Sequence, residues 1–249
     1  MLSQIHPFLI EKHKQARVES GHRVAINREL AALSTLFGRA IEWNAFEGSN
    51  PVKVGRVRKL KEELNRLRFL SEEEECRLLE TSSEPYRTIY LLGIYAGLRI
   101  RAEALTLKWE NVDFERKQIT IEAAYAKSGD TQTVPWHSRL VEPLKALFES
   151  RRNEWVFPRP EGRPIRSIRE AFTNACQRAK LSGVTPHTLR HIFASRLGMA
   201  GINNLALQKL GRWKEPKMIL RYAHLSEEHL ADAIEKIGSG VPTRNLVSL

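Results

Sequence analysis

The chain has 249 residues and carries 40 Lys and Arg against 29 Asp and Glu, a formal charge of +11. That excess calls for a polyanionic partner, nucleic acid first and an anionic membrane surface second. No apolar run nears the roughly 20 residues that span a bilayer, the N-terminus lacks the apolar core of a signal peptide, and Cys76 and Cys176 form no CxxC pair, which argues against a disulfide framework or zinc ribbon.

In chain order, residues 22–46 carry Leu30, Leu33, Phe37, Ala40 and Ile41 at helical spacing and predict one long amphipathic helix, with room for one helix before it. "EGSNP" ends it. The stretch 53–68 then holds seven Lys or Arg in sixteen residues. It reads as a solvated connector or as a segment along a phosphate backbone; on the second reading Arg56, Arg58, Lys59, Lys61, Arg66 and Arg68 are DNA contacts. Ser71 and Glu74 form a capping box for the next helix. Residues 84–97 predict a buried helix ending at Gly97, and 99–109 another, with Ala102, Leu105 and Trp109 inward. Residues 117–123 and 131–136 read as strands joined by a "KSGD" hairpin turn. Helices are expected at 138–150, 166–180, 187–200, 203–211, 216–222 and 226–237. Both cysteines fall in helix-like stretches and are expected to be buried. The fold class is mainly α with one small antiparallel sheet.

Within "TPHTLRHIFASRL", His187, Arg190 and His191 fall at i, i+3 and i+4 on one helix face, opposite the apolar stripe Leu189, Phe193 and Leu197. Three such donors side by side suit an anion. A zinc reading of His187 and His191 lacks the Glu of that motif, since Thr188 stands there, and lacks a third ligand, so no metal is expected. Arg99 and Arg101 open the helix after Gly97, where free N–H groups would make a second anion site. Lys127 lies in the hairpin turn, and "LRYAHLSEEHL" sets Tyr222 between a basic residue and two histidines.

Taken in order, "GLR" with "EALTL", the "KSG…VP" hairpin, "HTLRH", "LGRW" and "RYAHLS" resemble the boxes of the tyrosine recombinases, the phage integrase family, over about residues 24–237. The resemblance implies Tyr222 as nucleophile, Arg99 and Arg190 as the pair that grips the scissile phosphate, and Lys127 as general acid. It implies His187 as the first histidine of the second box, Trp213 in the position more often filled by histidine, and Glu103 and His191 in support. It further implies a short helical DNA-binding region over residues 1–65 and a catalytic domain over 66–249. The partner would be double-stranded DNA, engaged as a homo-tetramer by a chain that is monomeric when free, in the cytoplasm at the nucleoid. Two alternatives stay open: a type IB topoisomerase-like relaxing enzyme, and a relative that binds DNA without cutting it.

The sequence departs from the family pattern in two boxes. Four residues, one more than usual, carry Arg99 to Glu103, which makes Arg101 a rival first arginine. "LGRW" has one extra residue, so Arg212 competes with Trp213 for the slot. The chemistry holds independently of the name. Guanidinium forks complement charge building on a phosphodiester, and a phenol of pKa about 10 needs cationic donors or a base to react at neutral pH. The bond energy would be kept in a 3′-phosphotyrosine, so that rejoining needs no ATP; no Asp/Glu cluster for Mg²⁺ is visible, and no cofactor is expected.

Overall fold

A computed structural model describes residues 2–55, 57–61 and 68–223, and the chain divides into two compact units, Met1–Arg66 and Leu67–Leu249. Of the sequence expectations, Arg56, Arg66, the helix at 226–237 and the tail after it lie outside the described residues.

The first unit is built on α1 (Pro7–Glu19), α2 (Arg23–Glu42) and the short α3 (Pro51–Val54). Its core is Ile10, Ile26, Leu30, Val52 and Val57. Helix α2 ends at Glu42 rather than Phe46, because Asn44 takes a left-handed turn (φ 54°) that folds Phe46 edge-on to Phe37. The basic stretch is partly anchored here. Asn27 donates to Leu60 O at 2.9 Å and accepts its N–H at 2.8 Å, while Arg58, Lys59 and Lys61 stay exposed.

The second unit opens on α4 (Glu72–Glu80), started by the expected Ser71/Glu74 capping box, and α5 (Tyr86–Tyr95), whose residues Thr88–Ile94 are all buried. A three-stranded antiparallel sheet follows, β1 (Val112–Asp113), β2 (Gln118–Ile121) and β3 (Gln132–Pro135), in that order. Ile119 pairs with Val134, and both face the core with Ile121. Helices α6 (Val141–Glu149), α7 (Arg169–Arg178), α8 (Pro186–Met199), α9 (Asn204–Gly211) and α10 (Leu220–Ala223) complete the described part. Phe172 of α7 meets Tyr90 edge-on at 5.1 Å, and α5 packs along α8. The expected helix over 216–222 is instead a 3₁₀ turn at Pro216–Met218 followed by α10. Among the described residues no helix is long and apolar enough to cross a membrane.

Two expectations fail for local reasons. The helix over 99–109 is a single π-helical turn, Ile100–Ala104, then a 3₁₀ turn at Trp109–Asn111. Ala104 and Leu105 donate five residues back, to Arg99 O at 3.1 Å and Ile100 O at 3.0 Å. The widened turn takes up the extra residue and rotates the register: Ala102 is exposed, while Ile100, Glu103 and Ala104 are buried. Such turns often mark functional sites. Cys76 is exposed as well, because α4 turns Glu75 and Leu78 inward; Cys176 is buried as expected.

Candidate active site: three arginines, one glutamate and a buried tyrosine

Gly97 ends the α5 segment with φ +61°, a conformation open to glycine at little cost, and a Cβ there would collide with the Phe193 ring. The bend aims its carbonyl at two guanidinium groups. Arg190 Nη1 donates to Gly97 O, and Arg212 Nη2 donates to it at 2.9 Å. Arg190 Nη2 donates to Gly211 O, where α9 ends. Arg190 is 3% exposed and thus fixed on both arms by backbone carbonyls.

Glu103, brought inward by the π turn, is the pivot. Its Oε1 accepts from Arg99 Nη1, and its Oε2 accepts the Arg99 N–H at 2.8 Å and Arg212 Nη2 at 2.6 Å. Arg190 Nη1 stands 4.0 Å from the same carboxylate. Of the N–H groups expected to face an anion after Gly97, that of Arg99 is taken by Glu103, and the turn is five residues long. Arg101 points to solvent. Arg99 therefore joins the cluster and Arg101 does not.

Three guanidinium groups around one carboxylate leave an excess of positive charge where Arg190 and Arg212 are buried and Arg99 is only partly exposed, which is unfavourable unless an anion arrives. Burial pulls the Arg190 pKa down to about 9, with the neighbouring charges of Arg212 and Arg99 adding to it against Glu103 and Tyr222. Burial also lowers Arg212, against the opposing pull of Glu103. Arg212 sits in left-handed backbone (φ 50°, ψ 45°), which costs a non-glycine residue about 1 kcal/mol. A bound anion should relieve the charge excess. Sulfate or phosphate is expected to raise the melting temperature above that in chloride at equal ionic strength, by about 2.7 kcal/mol in stability at a hundred times Kd. Arg190→Gln is expected to lose that increment; thermal denaturation in matched salts measures it.

The tyrosine completes the arrangement. Tyr222 is 2% exposed, and its hydroxyl lies 2.5 Å from His191 Nδ1. Its ring stacks on Trp213 at 5.4 Å and 26°, and the far side of the chain of contacts is Arg190, whose guanidinium carbon is 5.4 Å from the Trp213 ring centre. His187 meets His191 edge-on at 4.6 Å. So Arg99, Glu103, Arg190, His187, His191, Trp213 and Tyr222 form one connected set. Lys127 stands apart from it: exposed in the loop between β2 and β3, with no hydrogen bond or ion pair to the set among the described residues. The same loop does border it. Ser128 and Thr133 face Arg212 and Trp213 across a cleft of about 600 Å³ that Lys209 and Lys214 also line.

The family is decided by the sequence profile of this region. The phage integrase family profile matches residues 68–229. The chain belongs to the phage integrase family. This integrase-family chain is 28% identical to the integrase of Salmonella phage P22 over 211 residues, covering 80% of this chain and 53% of that one. It is 32% identical to the putative integrase of Pseudomonas phage Pf1 over 234 residues, covering 90% and 64%. The chain thus spans between half and two thirds of the length of these curated relatives. The Tn1549 transposon integrase, solved in complex with circular intermediate DNA, superposes with a TM-score of 0.75 at 19% identity, covering 94% of this chain and 86% of that one. The fold is that of a tyrosine-recombinase integrase, mostly helical with one small sheet.

Three features of this integrase-family chain go beyond the sequence expectations. Arg212, a rival of Trp213 in the sequence, is the third guanidinium of the cluster, and its position just after Gly211 is the available signal. Arg68, expected as a DNA contact, pairs with Glu74 at 2.6 Å and, through that hydrogen bond, holds the Glu74 carboxyl down to about 2. Finally, Arg152, Arg159, Arg163, Arg166 and Arg169 are exposed, and none is in an ion pair among the described residues. Their density between 152 and 169 is legible in the sequence. Among the described residues no three His, Cys, Asp or Glu converge as a metal set, His187 and His191 included.

Proposed function

We propose that this chain is a site-specific DNA recombinase that cuts and rejoins strands through a 3′-phosphotyrosine intermediate. The observation that carries the reading is the Tyr222 hydroxyl, held 2.5 Å from His191 Nδ1 and linked through Trp213 to a cluster of three guanidinium groups with one carboxylate. With its own proton on Nε2, His191 accepts the phenol's proton as the Tyr222 oxygen attacks the phosphorus. Arg99 and Arg190 complement charge on the non-bridging oxygens. The bond to the 5′ oxygen breaks, and Lys127, carried over on its loop, protonates that leaving oxygen. The reverse step restores the diester, because a phenolate leaves more readily than an alkoxide, so neither ATP nor metal enters. Trp213 Nε1 donates and cannot act as a base, so its part is to bind and to orient Tyr222.

Residues 1–65 and 66–249 are assigned as DNA-binding and catalytic domains, with Arg58, Lys59, Lys61 and the arginines of 152–169 along phosphates. Exchange between two duplexes, each held by two protomers, requires a tetramer on DNA assembled from free monomers. A nicked duplex, whose cut strand loses the fragment needed for rejoining, tests the reading. A protein–DNA adduct is expected on a denaturing gel and should persist in excess chelator; strict dependence on Mg²⁺ or Zn²⁺ would contradict it. Affinity should fall steeply with salt. Neutralising six to ten phosphates implies a loss of roughly 10³–10⁵ between 50 and 200 mM salt, and a flat response in a binding titration would remove the basic segments from the interface.

A further inference from the structure

The donors of Arg212 all point inward. Nη2 reaches Glu103 Oε2 at 2.6 Å and Gly97 O at 2.9 Å, and Nη1 reaches Leu210 O at 3.3 Å. Nε is enclosed without a hydrogen-bond partner, and the side chain is 3% exposed. Every hydrogen bond that Arg212 donates is thus to Glu103 or to a backbone carbonyl. It acts on what it holds. The carboxylate oxygen that takes Arg212 also takes the Arg99 N–H at 2.8 Å, and the other oxygen takes Arg99 Nη1. Arg99 Nη2 turns back to the Arg212 carbonyl at 3.4 Å, closing a ring of contacts. We propose that Arg212 is a positioning residue for strand cleavage, acting through the Glu103 carboxylate to fix where Arg99 presents its guanidinium. The inference rests on the cleavage reading above.

The left-handed backbone of Arg212 supports this, since a strained residue persists where the surroundings require its side chain. So does the electrostatic balance at Glu103. Burial pushes that carboxyl's pKa up, but the charge of Arg212, the Arg99 N–H and the charges of Arg99 and Arg190 outweigh it and hold the pKa below the usual carboxylate range. Arg212 is the largest of these lowering influences. Without it the carboxyl's pKa rises. The carboxyl then takes a proton at a pH where it is still ionised in the unaltered chain, and it can no longer accept from both donors of Arg99. Rate should therefore be lost as pH falls, in the variant more than in the unaltered chain.

Two variants separate this from a simple loss of packing. Arg212→Gly removes the guanidinium and relieves the left-handed backbone, while Arg212→Lys keeps a charge within reach of Glu103. Single-turnover adduct formation on the nicked duplex is compared from about pH 8 to about pH 5.5, alongside duplex Kd. Arg212→Gly is expected to cleave about 10²-fold more slowly at the upper end, the scale of a small misplacement of a catalytic group. Its ratio to the unaltered chain should widen as pH falls, with Kd changed less than about threefold. Arg212→Lys should recover roughly tenfold, with a ratio that stays constant with pH. Should Arg212→Gly unfold, Glu103→Gln tests the same ring and is expected to lose rate by a similar factor. Unaltered rates in Arg212→Gly or Glu103→Gln overturn the proposal. So does a pH-independent deficit in Arg212→Gly, and one that comes with a matching rise in Kd reassigns Arg212 to direct phosphate contact. Absence of adduct from the unaltered chain is a different result, and it overturns the cleavage reading itself.

Discussion

Tyr222→Phe is expected to abolish covalent attachment to a nicked duplex while leaving duplex affinity within about twofold. Only one oxygen is removed, and the ring keeps its stacking on Trp213 at 5.4 Å. The lost hydrogen bond to His191 costs about 1 kcal/mol, too little to unfold a domain with a core of this extent. The adduct on a denaturing gel and a binding titration measure the two effects separately. An adduct that survives would move the nucleophile to Tyr86, Tyr90, Tyr95 or Tyr125. Tyr90 is a poor substitute, since burial raises its pKa strongly and its hydroxyl is enclosed without a partner. Tyr95 is held by Glu75 at 2.6 Å and Arg139 at 2.7 Å, and burial together with Glu75 raises its pKa. Neither resembles the environment of Tyr222, which adjoins a net positive cluster.

Arg99→Ala should slow cleavage by about 10²–10³-fold, because it removes a bidentate contact made chiefly in the transition state. Arg99→Lys should restore little, since an ammonium does not reproduce the fork. Arg101→Ala should cost far less, and mainly in binding. The geometry gives the reason for the difference. Arg99 is bound to Glu103 through side chain and backbone, whereas Arg101 is exposed on the outer side of the π turn. Single-turnover rates of the three variants decide it. A dead Arg101→Ala with an active Arg99→Ala would reverse the assignment.

Much of this was legible in the sequence, and the exceptions have physical causes. The helices that form α2, α5, α7, α8 and α9 follow from apolar spacing, and Ser71 with Glu74 marked the start of α4. The strands at β2 and β3 followed from alternation, though the loop between them is longer than a tight turn. Two-residue β1 carries no period to detect. The segment after Gly97 departs from the expected helix because helical periodicity assumes 3.6 residues per turn, while a π turn absorbs one residue more and puts Ala102 outside and Glu103 inside. Family order placed Arg99, Arg190, Trp213 and Tyr222 on one list, but it did not indicate that Glu103 would gather three guanidinium groups. That depends on a buried charge finding partners from three distant segments, and spacing along the chain does not carry it. Nor does spacing show that Arg212 takes left-handed backbone at the end of α9 and turns its guanidinium to Glu103.

The central claim is that DNA becomes bonded to Tyr222, and peptide mapping of the trapped adduct tests it most directly. The chain is incubated with a nicked duplex in chelator, the adduct is digested with trypsin and nuclease, and the modified peptide is identified by mass spectrometry. Cleavage after Arg221 releases "YAHLSEEHLADAIEK", residues 222–236, and the expected result is a 3′-nucleotide on the tyrosine of that peptide. A nucleotide on a peptide carrying any other tyrosine, or duplex bound tightly with no modified peptide, would contradict the account.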